Sequence, residues 1–429
     1  MRKHPSPEVL GVHLLREDDV VFVGELFRTA DGMTSFHIDE AYISMPDRPI
    51  LSSSLLCPGD EEATSRLLRE STHLKGGRSI PAWFENLLPE GVLRTYMEAS
   101  GRLHDFDLLR KVGHDLPGAV IITGENPAIP AQESIPDVRF SLAGVQIKTS
   151  MSRTADGFEM LAGGIDGDTV VKLPTSKLPA LPEVEFSSMR LAASVGVDTA
   201  FVDLVPLERL TGIPDALMEE QGLALVIDRF DRTPAGGRIH AEDFNQILGV
   251  AADRKYAAAS DEIVLKLAGL FGSGRECFLQ ACRRMAVNIL AGNTDAHLKN
   301  WSIWYPDHST GRLSPAYDIV AGAVYDHSNE MALRFRRTRN AAIMDIARFE
   351  RAAAFAGFSP SDVRSEISMV VEKAADTWGL LLCDLPMPER YASYLIERTQ
   401  RLALAQECGR SFIGGGRLTF AAQLTNLAL

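Results

Sequence analysis

The chain has 429 residues, 24% charged and 45% apolar, enough to build more than one packed unit. Its 57 acidic against 44 basic residues leave a formal charge of −13, which argues against a surface that grips nucleic acid over its whole extent. No run reaches the roughly 18 apolar residues of a membrane span and MRKHPSPEVL has no apolar signal core, so a cytoplasmic protein without membrane contact is expected.

In chain order, EVLGVHLL and DVVFVGEL read as strands, a helical stretch lies around 92 to 100, and VGHDLPGAVIITG alternates as a strand pair does. ENPAIPAQESIP, residues 125 to 136, carries three prolines and reads as a linker. Beyond it RFSLAGVQIKTSM, TVVKLPT, AFVDLVPLERL and LALVIDRFDR are strand candidates around one helix, EVEFSSMRLAASVGV. From about residue 241 helices take over: EDFNQILGV, DEIVLKLAGLF and ECFLQACRRMAVNIL, the last with Phe278, Cys282, Met285 and Ile289 on one face. Ser359, Pro360 and Asp362 form an N-cap, first position and first-turn acid ahead of an apolar stripe of Val363, Ile367, Val370, Ala374 and Trp378. The pattern predicts an α+β protein of two lobes with a cleft between them, divided into units 1–132, 133–232 and 233–429. Arg334, Arg336, Arg337 and Arg339 in RFRRTRN read as a solvated loop. Cys57, Cys277, Cys282, Cys383 and Cys408 are scattered, with no Cys-x-x-Cys, and read as reduced thiols.

One polar octet interrupts this pattern. NTDAHLKN, residues 293 to 300, lies between a helical apolar stretch and WSIWY (301 to 305), followed by a turn, LSPAY (313 to 317) and Asp318. If these segments form a hairpin, its open ends bring Asn300 and Asp318 within reach of one ion. A carboxylate and an amide oxygen are hard ligands that suit Mg²⁺ beside substrate phosphates. Asp295 on the same loop would face the transferred phosphate. Protein kinases use this order of helix, base, metal-binding Asn, hairpin and metal-binding Asp. The spacing matches although no HRD precedes the loop and YDI stands where DFG would be. The D-x-H-x-x-N form of Asp295, His297 and Asn300 is closer to phosphatidylinositol-type kinases. A hairpin with capped polar ends accounts for Asp318 alone, but not for the three together. His297 either touches phosphate or braces the loop, which Asn293 and Thr294 shape.

A kinase also needs a cation on the phosphates and a carboxylate to hold it. Lys172 in TVVKLPT and Glu185, thirteen residues on in a predicted helix, can form that pair; a solvent-facing lysine and a dipole-friendly acid are the plainer alternatives. SLAGVQIKTS (141 to 150) can pass over the phosphates at Gly144, near Lys148 and Thr149, although a single glycine equally marks an ordinary turn. LALVIDRFDR is placed as a hinge against adenine, or as a buried strand ending in surface ion pairs.

Taken together, FENLLPEG, FDLL, VGHDLPGAV, SLAGVQIKTS, VVKLP, VIDRFDR, HAEDFNQILG, NTDAHLKN, SPAYDI and MAL resemble, in number and order, the HipA family of bacterial serine/threonine kinases, toxins of HipA/HipB toxin–antitoxin systems. The resemblance implies a protein-kinase-like fold with an added N-terminal subdomain, ATP and Mg²⁺ as cofactors, Asp295 as catalytic base, and Asn300 and Asp318 as metal ligands. It implies that Lys172, held by Glu185, grips the ATP phosphates and that Asp228, Arg229 and Phe230 border adenine. Gly144, Val145, Gln146 and Lys148 would line the phosphate loop, His297 and Lys299 would lie near the nucleotide, and Ser141 would be autophosphorylated. Ile147, Val184 and Asp228 depart from the family's usual residues, which touches the loop and its regulation more than catalysis. The implied partners are a HipB-like helix-turn-helix antitoxin, DNA through that antitoxin, and a protein substrate among translation factors such as aminoacyl-tRNA synthetases. Three other readings compete: a nucleotide-binding co-repressor, a small-molecule or lipid phosphotransferase, and a metal-dependent hydrolase using Asp295, His297 and Asp318.

Overall fold

Alternation along β1 (Glu8–Arg16) puts Leu10, Val12 and Leu14 on one fully buried face, and the other elements of the first unit close over it. The computed structural model describes residues 7–412 except 17–18, 71–74, 99–102, 125–145, 161–166, 214–221 and 273; the expected linker at 125 to 136 lies outside the described residues. β1 pairs antiparallel with β2 (Asp19–Arg28) and β4 (Val120–Gly124), and β3 (Thr34–Ile38) joins β2, in the order β3-β2-β1-β4. Trp83, Phe84 and Phe106 from short helices fill the core beneath this sheet. The expected strand pair in VGHDLPGAVIITG is one strand only, β4, because residues 113 to 119 turn outward as a loop whose backbone is used by arginines of the next unit.

The second unit is a sheet of β5 (Lys148–Arg153), β6 (Phe158–Glu159), β7 (Thr169–Lys172), β8 (Val202–Pro206), β9 (Leu210–Thr211) and β10 (Leu223–Asp228) in the order β8-β10-β7-β5-β6-β9. The unbroken apolar run of β10 follows from burial on both faces. Leu225 and Ile227 pack with Val184, Met189 and Leu191 of helix Leu181–Ser194, while Ala224 and Val226 meet Met151, Val171 and Val205.

Helices Asp261–Phe271, Arg275–Ala291, Ile346–Ala356, Pro360–Asp384 and Glu389–Gln400 build the third unit. The predicted stripe from Val363 to Trp378 is buried throughout, and Ser359 caps its helix by accepting from the Asp362 amide. Trp378 Nε1 donates to Leu191 O at 3.2 Å and the Ala321 amide to Ser188 Oγ at 3.0 Å, joining the helical unit to the helix behind the second sheet.

Two local expectations change. EDFNQILGV does not start as a helix: β11 (His240–Asp243) pairs with β12 (Ser302–Tyr305), and Asp243 ends the strand by capping Phe244–Ile247 through a reciprocal bond pair with Gln246. β12 also pairs with β13 (Arg312–Leu313), which forms the hairpin expected after the octet. RFRRTRN is not a loop. β14 (Glu330–Phe335) and β15 (Thr338–Asn340) meet across a two-residue turn at Arg336 and Arg337, with φ of 45° and 73°.

The first unit docks on the other two through buried polar contacts. Glu242 of β11 accepts from Ser52 Oγ at 2.7 Å, Ser53 N at 2.6 Å, Trp83 Nε1 at 3.1 Å and Tyr305 Oη at 2.6 Å. Asp231 accepts from Gly118 N at 2.7 Å and from Arg229 at 2.8 Å and Arg232 at 3.0 Å. His240 Nε2 lies 2.8 Å from the Leu51 carbonyl, and burial pushes its pKa down to about 4.

Glu242→Ala removes the shared acceptor of four buried donors, leaving Ser53 N and Trp83 Nε1 without it, and is expected to lower the unfolding free energy by about 3 kcal/mol, read by urea denaturation. His240 is neutral in the fold and takes up a proton first in the unfolded chain, so its contribution is present above about pH 6.5 and lost toward pH 4. The stability difference between wild type and His240→Phe is expected to shrink by on the order of 2 kcal/mol between pH 7 and pH 4.

Candidate active site

Helix Arg275–Ala291 ends at Gly292, whose φ of 70° and position only 2.7 Å (from an added Cβ) to the Ala323 Cβ leave no room for a side chain. Buried Arg398 donates to the last helical carbonyls, Ile289 at 2.9 Å and Leu290 at 3.1 Å, so the helix end is satisfied where the octet begins. Asn293 Nδ2 then donates to Asn288 Oδ1 at 3.1 Å and to the Asp318 carbonyl at 3.1 Å, fastening the loop to the segment after the hairpin. Asp318 sits at φ 55°, a left-handed conformation uncommon outside glycine.

β5 and β7 place Lys148 and Lys172 directly opposite one another. Like charges at paired positions repel, so this register needs an anion between them. Asp318 provides it: Lys172 Nζ donates to Oδ1, and Lys148 Nζ to Oδ2 at 3.0 Å. Lys172, 2% exposed, also donates to Glu185 Oε1. Burial favours a neutral Asp318, but Lys148 and Lys172 outweigh it and hold this carboxyl well below the usual carboxylate range. The same pair of carboxylates outweighs burial at Lys172 and keeps its ammonium charged.

Three buried atoms on this cluster and loop have no hydrogen-bond partner: Glu185 Oε2, His297 Nδ1 and Asn300 Oδ1. Asn300 Oδ1 is a buried amide oxygen with no partner, and it and the Asp318 carboxylate are the hard oxygen donors magnesium takes, so the two residues fit that ion. Burial, reinforced by Lys255, lowers the His297 pKa to about 4, so its ring is neutral. That ring meets Tyr256 edge-on, with centroids 5.0 Å apart. Asp295 is exposed, and its Oδ1 accepts from Tyr256 Oη at 2.7 Å.

The other expected site residues have the following contacts. Lys299 Nζ donates to Asn86 O at 3.0 Å and Glu90 Oε1 at 2.5 Å, both in the first unit, and does not join the Lys172–Asp318 cluster. Burial would raise the Glu90 pKa, but Lys299 and Lys255 overcome it and bring it to about 2. Arg229 is tied to Asp231 and to Asp115 at 3.4 Å, and Asp228 pairs with Arg153 at 2.5 Å. Phe230 stacks on Tyr317 with centroids 5.7 Å apart, and Tyr317 Oη donates to Lys299 O at 2.9 Å, so the strand end at 228 to 230 touches the octet through one ring. Gln146 Nε2 donates to Leu173 O at 3.0 Å. Ser141, Gly144 and Val145 lie outside the described residues.

Residues 19–123 match the HipA N-terminal domain and residues 140–378 the HipA-like C-terminal domain. The chain belongs to the HipA family. This HipA family member is 35% identical to the putative kinase Y4dM of Sinorhizobium fredii over 94% of its own length and 99% of that relative's. It is 27% identical to the serine/threonine-protein kinase toxin HipA of Shewanella oneidensis over 59% of this chain and 66% of that one. The solved Shewanella oneidensis HipA, in a complex with HipB and operator DNA, covers 94% of this chain and is itself covered to 97%, with a TM-score of 0.70 at 22% identity. The fold is therefore α+β, two-lobed and kinase-like, with the added N-terminal subdomain. Among the described residues no helix is long and apolar enough to cross a membrane.

Sequence reasoning missed Tyr256 and Glu90. Tyr256 lies in a turn-rich stretch with no periodicity to flag it, and Glu90 sits far away in the chain; only the fold shows that both reach the octet. Lys172→Met strands a buried Glu185 carboxylate and is expected to cost about 3 kcal/mol of stability, while the double variant Lys172→Met/Glu185→Leu recovers a large part of it, measured by urea unfolding of both.

Proposed function

We propose that this HipA family member is a cytoplasmic serine/threonine protein kinase that uses ATP and Mg²⁺ and serves as the toxin of a toxin–antitoxin pair. The observation that carries the proposal is the Lys172 ammonium between Glu185 and Asp318, with Asp318 bonded through Asn293 to the loop whose Asn300 Oδ1 is buried and unpaired. A lysine fixed by one carboxylate, and a second carboxylate paired with an amide oxygen, is the charge set phosphoryl transfer requires.

In this reading Lys148 and Lys172, which both reach Asp318, bind phosphate oxygens, and Asp318 and Asn300 would hold the magnesium ion. Magnesium, when bound, supplies charge neutralisation at the phosphate oxygens and leaves phosphoryl transfer to positioning. Glu185 keeps Lys172 in place independently of Asp318, since its bond to the ammonium does not involve that residue. Asp295, exposed at the mouth of the loop, orients the acceptor hydroxyl and takes its proton. Phe230 borders the adenine, and its stacking on Tyr317 couples base binding to the octet.

We place the unit boundaries at 132 and 232, the substrate among translation components such as an aminoacyl-tRNA synthetase, and an inhibitory autophosphorylation at Ser141. The antitoxin is proposed to be HipB-like, because a relative of the same fold was solved with HipB and operator DNA. A net charge of −13 suits a division of labour in which the antitoxin makes the DNA phosphate contacts.

Purified protein with radiolabelled ATP is expected to show Mg²⁺-dependent labelling of itself and of added protein acceptor. Asp295→Ala should reduce transfer by roughly 100-fold or more, and Asn300→Ala should raise the Mg²⁺ concentration needed for half-maximal rate. Labelling that persists unchanged in Asp295→Ala would remove the basis of the kinase reading.

A further inference from the structure

A catalytic carboxylate on an exposed loop has two free torsions, and its rate contribution depends on their being fixed before the acceptor arrives. The backbone of Asp295 is held: its amide donates to Asn293 Oδ1 at 3.3 Å, and its carbonyl accepts from the His297 amide at 2.7 Å. Its side chain accepts from the Tyr256 hydroxyl at 2.7 Å on Oδ1. Resting on the kinase reading above, we propose that Tyr256 is the positioning residue of this active site, turning the Asp295 carboxylate so that Oδ2 faces the acceptor hydroxyl.

The alternative role for a hydroxyl on a catalytic base is a plug that occupies the acceptor's place and must swing away. The surroundings of Tyr256 argue for a fixed post. His297 meets its ring edge-on from the octet. Lys255 Nζ lies 5.6 Å from its ring centroid and is itself paired with Glu90 of the N-terminal subdomain at 2.9 Å. Arg339 of the arginine hairpin donates to the Tyr256 carbonyl at 3.1 Å, and the Lys255 carbonyl accepts from the Leu298 amide at 3.4 Å. Three separate parts of the fold thus hold one tyrosine, more restraint than a gate that opens in each cycle can carry. Burial and the adjacent Asp295 charge both raise the Tyr256 pKa, so the hydroxyl keeps its proton and remains a donor. The arrangement also explains why a subdomain outside the two lobes reaches the octet: Glu90 holds both Lys255, next to Tyr256, and Lys299 of the octet.

The test is steady-state kinetics of Mg²⁺-ATP-dependent phosphate transfer to dephosphorylated casein, as a generic serine/threonine acceptor, and to water. Wild type, Tyr256→Phe, Tyr256→Ala and Asp295→Ala are compared at equal folded fraction, checked by thermal melting. Tyr256→Phe keeps the ring against His297 and loses only the hydroxyl. It is expected to lower kcat about 10-fold with the KM for ATP within about two-fold of wild type, a modest share of what a general base contributes. Three results overturn the proposal: wild-type kcat in Tyr256→Phe, whatever Tyr256→Ala does; a raised kcat/KM for casein, which would make Tyr256 a plug; or a change confined to the KM for ATP. Full activity in Asp295→Ala, or no transfer by wild type to either acceptor, would instead bring down the kinase reading, and this inference with it.

Discussion

Lys172 is a buried ammonium held between two carboxylates, and the pairing of sheet, helix and hairpin around it follows from satisfying that charge. A buried ammonium is tolerated only if carboxylates come to it, and here one comes from the helix behind the sheet and the other from beyond the hairpin of the helical lobe. Because Lys148 lies opposite Lys172 in the sheet, Asp318 has to neutralise two cations at once. Its left-handed backbone is the local cost of bringing a carboxylate to that point. This carboxylate is therefore one of the contacts that join the lobes, beside the Trp378–Leu191 and Ala321–Ser188 bonds.

The N-terminal subdomain is part of this arrangement rather than an appendage. It holds the segment after β10 through the Asp115, Asp231, Arg229 and Arg232 cluster, where burial brings the Arg232 pKa down to about 10 even beside two carboxylates. It holds β11 through Glu242, and it holds the octet through Glu90 and Asn86. Arg229 and Lys299 take part in these contacts. Long basic side chains beside a site are drawn to whichever carboxylates are near in space: Lys299 meets Glu90 of the N-terminal unit, and Arg229 meets both Asp231, two residues on, and Asp115 of that same distant unit.

The periodic elements and the charged words of the site were legible in the chain. The stripe from Val363 to Trp378, the two-faced burial of LALVID, and the spacing of Asp295, Asn300 and Asp318 are local patterns, set by 3.6- and 2-residue periods and by a hairpin's closure. HAED was misread because its strand character comes from pairing with Ser302–Tyr305, and RFRRTRN because two arginines occupy turn positions that glycine or asparagine would have announced. The sequence by itself determined which residues could carry phosphoryl transfer and in what order they lie along the chain. Only the tertiary structure decided which carboxylate each lysine meets, that Tyr256 rests on Asp295, and that Glu90 braces the octet. Those pairings link positions far apart in the chain, and they depend on burial and distance, which no local pattern encodes.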